Sequence, residues 1–178
     1  MKVKTSAVVC AVLLAATAPG WAQETKSGAL AKQLAAALEA GKLESIAAKD
    51  PSNQDVYLGA LYIKGFQLLV ISNKYAVPAA LDGRLSKKEY RDLYIDLNSS
   101  PSNGRVFIED LGADGLKAKR EENQPFDSVE INGARTMFDS DWKKQKLSEE
   151  DYMKTFSAAD DRYAQILTAL LAQLKKGS

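Results

Sequence analysis

Residues 56–72, "VYLGALYI" and "FQLLVIS" joined by Lys64-Gly65, constrain the fold more than any other stretch. In an extended chain Val56, Leu58, Ala60 and Tyr62 fall on one side, and Tyr57, Leu61 and Ile63 on the other. The second run repeats this, with Phe66, Leu68 and Val70 opposite Leu69 and Ile71. Successive strand side chains point to opposite faces, so apolar residues on both faces describe strands covered on both sides. Lys64-Gly65 has the chemistry of a tight turn, because glycine takes a positive φ without steric cost. Lys64, Gln67, Asn73 and Lys74 divide the region into pieces too short to span a hydrocarbon layer of ~30 Å. The stretch is expected to be the central hairpin of a sheet.

The flanking segments supply further elements. "GALAKQLAAALEAG", residues 28–41, is alanine-rich with Leu30, Leu34 and Leu38 four apart, which predicts a helix ended by Gly41. "KLESIAAKD" suits either a last helical turn or a first strand, and "DPSN" (50–53) a turn. Ser86 and Glu89 have capping-box spacing, with Leu85, Tyr90 and Leu93 on one helical face. "DLYIDLN" alternates Leu93, Ile95 and Leu97 with Asp92, Tyr94 and Asp96, the pattern of a strand with one wet face. "RVFIEDL" reads as another strand, and "GADGLKAKREENQP" as a polar connection.

Asn132-Gly133 between β-prone runs is the strongest local hairpin signal and sets Ile131 opposite Ala134 and Glu130 opposite Arg135. The chain closes on a long helix. Ser148 and Asp151 suit its N-terminal cap, and Tyr152, Phe156, Ala159, Tyr163, Ile166, Leu170 and Leu174 form its apolar stripe. Together these elements predict one α+β domain: an antiparallel sheet of five to seven strands, flat or curled into a split barrel, packed by an N-terminal and a long C-terminal helix.

The N-terminal "MKVKTSAVVCAVLLAATAPGWAQE" has a positive start at Lys2 and Lys4, an uncharged run from Ala7 to Ala18, and small residues Gly20 and Ala22 before a natural cleavage point. It is expected to be a signal peptide, residues 1–22, leaving a single domain over 23–178 in a periplasmic or secreted protein, without a membrane span. Cys10, the one cysteine, lies inside that peptide, so the mature chain has no disulfide and depends on its core alone. Loss of Lys2 and Lys4 takes the net charge from +1 to −1. A near-neutral surface of mixed sign carries no footprint for nucleic acid.

The absence of histidine, with the absence of cysteine after processing, limits the chemistry most. Ser-His-Asp and Cys-His catalysis, the usual zinc sites, iron–sulfur clusters and haem held by His or Cys are all removed. The ordinary neutral-pH proton carrier goes with them. Glu109, Asp110 and Asp114 beside Gly115 offer oxygen ligands, but not at calcium-loop spacing, and read as a polar turn. Asp139 and Asp141 beside Trp142 read the same way. Ser72 with Lys74, and Ser86 with Lys87, lack the frame of a Ser–Lys dyad. The composition therefore favours a non-catalytic binding or interaction module without metal or cofactor, monomeric or homodimeric, with a small molecule or an envelope protein as partner. A second reading makes the C-terminal helix a docking element.

The order of the leading helix, "GKLESIAAKDPSNQDVYLGALYIKGFQLLVISNKY" and "YRDLYIDLN" resembles that of the flavin-binding split-barrel proteins similar to pyridoxamine phosphate oxidase, over about residues 30–111. The resemblance implies FMN as cofactor and an oxidoreductase as a further reading. It implies that Lys74 and Arg84 meet the phosphate, and that Tyr62 and Tyr94, with Tyr57 and Tyr75, line a planar ligand.

Overall fold

The structure is a computed structural model that describes residues 25–73, 106–119 and 126–176, apart from the side chains of residues 55 and 73. The expectations for the signal peptide, for Lys74, Tyr75, Arg84, Ser86, Lys87 and Tyr94, and for the helix and strand over residues 85–97 lie outside the described residues. Within them the fold is α+β. Helix α1 (Lys26–Ala40) precedes strands β1 (Ser45–Asp50), β2 (Asn53–Ile63), β3 (Gln67–Asn73), β4 (Val106–Leu111), β5 (Ser128–Ile131) and β6 (Ala134–Met137), and helix α2 (Glu149–Lys176) closes the chain.

The six described strands form one antiparallel sheet in the order β1-β2-β3-β4-β5-β6, so each strand pairs with its neighbours in sequence. One register row, Ile46–Ala60–Val70–Ile108–Val129, crosses five strands on the face under the helices. It forms one core with Leu34 and Leu38 of α1 and Tyr163, Ile166, Leu167 and Leu170 of α2. Each fully buried aliphatic side chain there contributes about 1.5–3 kcal/mol. On the other face Ala47, Tyr57, Leu69, Ile71 and Phe107 are buried as well. The two-faced apolarity of residues 56–71 thus corresponds to burial on both faces. No described helix is long and apolar enough to cross a membrane.

The turns follow from local chemistry. "KLESIAAKD" resolves into β1, and Pro51-Ser52 turns it into β2. Asn132 and Gly133 take φ of 52° and 85°, which puts Ile131 against Ala134 and Glu130 against Arg135. The β2–β3 turn departs from the expected two residues. It holds three, Lys64 to Phe66, with Gly65 at φ 65° and Phe66 N–H donating to the Ile63 carbonyl. Phe66 is therefore a turn residue, 57% exposed, and not a partner of Leu68 and Val70 in the core. Ser148 caps α2 as its spacing predicts, Oγ accepting from Asp151 N–H at 3.0 Å.

Candidate functional site

Two polar clusters interrupt the helix-covered face. The first surrounds Asp110 at the end of β4 and Asp127 just before β5, both buried. Asp110 accepts from Asp114 N–H (3.1 Å), Gly115 N–H (2.9 Å) and the Tyr163 hydroxyl (2.8 Å). Asp127 accepts from Leu111 N–H and Lys117 N–H, both at 2.8 Å. The two carboxylates thereby gather the backbone donors of the loop leaving β4. Burial raises Asp110 to about 6, and burial together with the Asp110 charge raises Asp127 to about 8. Burial first, and the Asp110 charge second, hold the Tyr163 phenol well above its ordinary value.

The same loop carries α1. Leu116 N–H donates to Ser27 Oγ at 3.0 Å, and Gly115, at φ 94°, lies against the backbone of Gly28. Thr25 makes no side-chain cap for α1. Asp160, in the middle of α2, supplies it: its carboxylate accepts from Lys26 N–H at 2.9 Å and Ser27 N–H at 3.0 Å. An anion at a helix N-terminus satisfies otherwise orphaned donors and meets the positive end of the helix dipole.

The second cluster opens to solvent. A groove of about 680 Å³ runs between the β1–β2 turn, the first residue of α1 and the middle of α2, lined among others by Asp50, Pro51, Ser52, Lys26, Asp161, Arg162, Gln165 and Thr168. Ala164, Ala169 and Ala172 keep its helical wall low. Arg162 is fixed across it, Nη2 donating to Ser72 Oγ at 2.8 Å and to Asp50 Oδ2 at 3.2 Å, and Nη1 to Gln165 Oε1 at 3.3 Å. Lys26 Nζ pairs with Asp161 at 2.5 Å at the rim. The groove thus presents two cations and two carboxylates.

Of the six residues that the flavin resemblance implied, Tyr57 and Tyr62 are described, and they lie on opposite faces of β2. Tyr57 is buried on the face away from the helices, with Lys49 Nζ 5.5 Å from its ring centroid. Tyr62 is buried beneath α1, its hydroxyl donating to Glu39 Oε1 at 2.8 Å and accepting from Gly65 N–H at 3.1 Å, and burial raises its pKa. The acidic runs separate. Asp110 and Asp114 turn into the loop, whereas Glu109 faces the opposite side and binds Arg135 and Ser128. Asp139 and Asp141 accept from backbone N–H groups in the 139–144 turn. Among the described residues no group of three or more acidic side chains is placed to hold a metal. Ser72, considered above with Lys74, is bound by Arg162.

Of the residues that build the two clusters and the α1 cap, Asp110, Tyr163 and Ser72 figure in the sequence reading, whereas Asp127, Asp160 and Arg162 do not and Asp50 figures only as a turn residue. One signal was available: Asp160 lies between Ala159 and Tyr163 in the apolar stripe of α2, where a charge needs a partner. Comparisons with protein-family models, curated proteins and solved structures find no match to this chain.

Proposed function

We propose that the chain is an exported, non-catalytic binding module whose groove between the β1–β2 turn and α2 takes a small polar ligand carrying both signs of charge, of the zwitterionic kind that short peptides exemplify. The observation that carries this reading is Arg162, fixed on the groove by Asp50, Ser72 and Gln165 while Lys26 and Asp161 stand at the rim. Prepositioned charges in a concave site favour a ligand of complementary charge, since their ordering is complete before binding. The buried carboxylates Asp110 and Asp127 are taken up by the backbone of their own loop, which argues against a role for them in acid–base catalysis on a ligand. The N-terminal pattern ending at Ala22 supports export.

The test is a thermal-shift series with glycylglycine, alanyl-aspartate and FMN as probes, on the natural chain and on Thr168→Trp. Thr168 is exposed on the groove wall, so tryptophan there fills the groove without entering the core. A dipeptide that raises Tm by about 2 °C or more at about 10 mM, and fails to do so in Thr168→Trp, supports the reading. No dipeptide shift, or an equal shift in the filled variant, rejects it. A shift with FMN alone favours the flavin reading instead.

A further inference from the structure

Strand β6 ends the described sheet, so one side of its main chain has no described strand to pair with. Opposed residues of an antiparallel pair alternate between those that exchange backbone hydrogen bonds and those that do not. Phe138 N–H donates to the Asp127 carbonyl at 2.9 Å, which makes these two a bonded pair. In the same register Val129 with Thr136 and Ile131 with Ala134 are bonded pairs, whereas Glu130 with Arg135 and Ser128 with Met137 are not. The main-chain N–H and C=O of Arg135 and Met137 therefore point outward, along the edge. An outward row of this kind is a template for a further strand.

Met137 is nevertheless satisfied twice by a single side chain. Its N–H donates to Gln145 Oε1 at 2.9 Å, and Gln145 Nε2 donates to its carbonyl at 2.7 Å. A carboxamide has the donor and the acceptor of a peptide group, so Gln145 occupies the place that a neighbouring strand would take. It is itself held in place. Nε2 also donates to Asp139 Oδ1 at 3.0 Å, and Leu147 N–H closes the turn onto the Trp142 carbonyl at 2.9 Å. We propose that Gln145 closes the β6 edge by standing in for a strand, and that the partner it excludes is the same edge of a second copy of this chain.

The edge identifies that partner by its own symmetry. A two-fold axis beside Thr136 sets Arg135 of one copy against Met137 of the other, and in that register both pairs exchange their outward backbone bonds. The same axis sets Thr136 opposite Thr136, a favourable cross-strand pair, and keeps the two Arg135 side chains from standing directly opposite each other. Every bonded pair in this ladder uses a Met137. One Gln145 per copy therefore blocks the whole ladder. This inference stands independently of what occupies the groove.

The natural mature chain supplies the first test. In amide hydrogen exchange the Met137 amide is expected to be about ten-fold or more better protected than that of Arg135, although both face away from β5. Equal exchange of the two overturns the guard. Sedimentation equilibrium then tests the excluded partner on the natural chain, on Gln145→Ala, and on Gln145→Ala combined with Arg135→Pro, with circular dichroism to confirm folding. The mass of Gln145→Ala should rise above that of the natural chain toward double between about 10 μM and 1 mM. Arg135→Pro removes an outward N–H and no bond to β5, so it should abolish the rise. A Gln145→Ala mass equal to that of the natural chain throughout overturns the proposal, and so does a rise that Arg135→Pro leaves intact. Should Gln145→Ala not fold, Gln145→Ser serves with the same expectation.

Discussion

Gly115 and Gly28 meet backbone to backbone: a Cβ built on Gly115 would stand 2.4 Å from Gly28 Cα and 2.6 Å from its nitrogen. Both partners are main chain, so neither can swing aside, and Gly115 also has φ 94°. Gly115→Ala is expected to destabilise the fold by about 3 kcal/mol in urea unfolding. Gly133→Ala is the control, with open space around its Cβ and φ 85°, so it bears the backbone strain alone and costs about 1 kcal/mol.

Asp160 caps a helix whose first residue lies more than a hundred positions earlier in the chain. Asp160→Ala strands the N–H groups of Lys26 and Ser27 and is expected to cost about 2–3 kcal/mol, with Asp160→Asn costing less because one acceptor oxygen remains. Lys26→Ala keeps the capped backbone and loses only an exposed ion pair, so its unfolding curve should overlay that of the natural chain. Urea titrations of the three variants separate the backbone contribution from that of the side chain.

Stability should fall as pH rises from 5 to 8.5. Asp110 and Asp127 have folded pKa values of about 6 and about 8, above the ordinary carboxylate value of 3.8, so the folded state binds more protons than the unfolded state across this window. Their contribution is whole below about pH 4 and is lost as pH passes first the Asp110 and then the Asp127 value, in total on the order of a few kcal/mol. Urea unfolding at half-unit pH steps measures the slope, and a curve that rises toward pH 8.5 contradicts the assignment. Tyr163→Phe removes a donor that favours ionised Asp110, so the first step should move to higher pH.

The apolar stripe of α2 is used within its own chain. Ile166 and Leu170 are fully buried in the core shared with the sheet and α1. Leu170→Ala should cost about 2–5 kcal/mol. Ile166→Asn should unfold the monomer and not simply weaken an assembly, as circular dichroism and sedimentation on the same sample would show. A folded, monomeric Ile166→Asn chain would restore the docking reading of this helix.

Two phenylalanines at opposite extremes of burial should behave oppositely. Phe138 is fully buried and packs edge-on against Tyr152 and Phe156, with ring centroids 5.8 and 5.1 Å away. Phe138→Ala is expected to cost about 3–5 kcal/mol. Phe66→Ser, at the exposed β2–β3 turn, should change stability by no more than about 0.5 kcal/mol in the same assay.

What was legible in the sequence is what depends on neighbours along the chain. The Leu34 and Leu38 spacing, the Asn132-Gly133 turn, the Ser148 cap and the alternation from Val56 to Ile63 each encode an element through contacts a few residues apart. The third turn residue at Phe66 escaped because Lys64-Gly65 alone satisfies a two-residue turn, and only the register Ile63↔Gln67 decides otherwise. The polar clusters escaped for a stronger reason. Asp50, Ser72 and Arg162 meet across 90 and 112 positions, and Asp160 reaches Ser27 across 133, so no periodicity announces them. Asp110 was visible as part of an acidic run, but its separation from Glu109 follows from the pleat, which sends adjacent strand residues to opposite faces.

The Asp160 cap has a consequence for how the chain is made. Strands β1 to β3, and β5 with β6, are joined by turns of two or three residues, so these hairpins can form as synthesis proceeds, through the local contacts that favour rapid folding. Helix α1 is different. It is synthesised before every described strand, yet the carboxylate that completes its first turn arrives only when residue 160 does. The earliest described helix thus waits for the end of the chain, and a chain truncated before α2 leaves it without the anion that caps it and without the stripe that buries it.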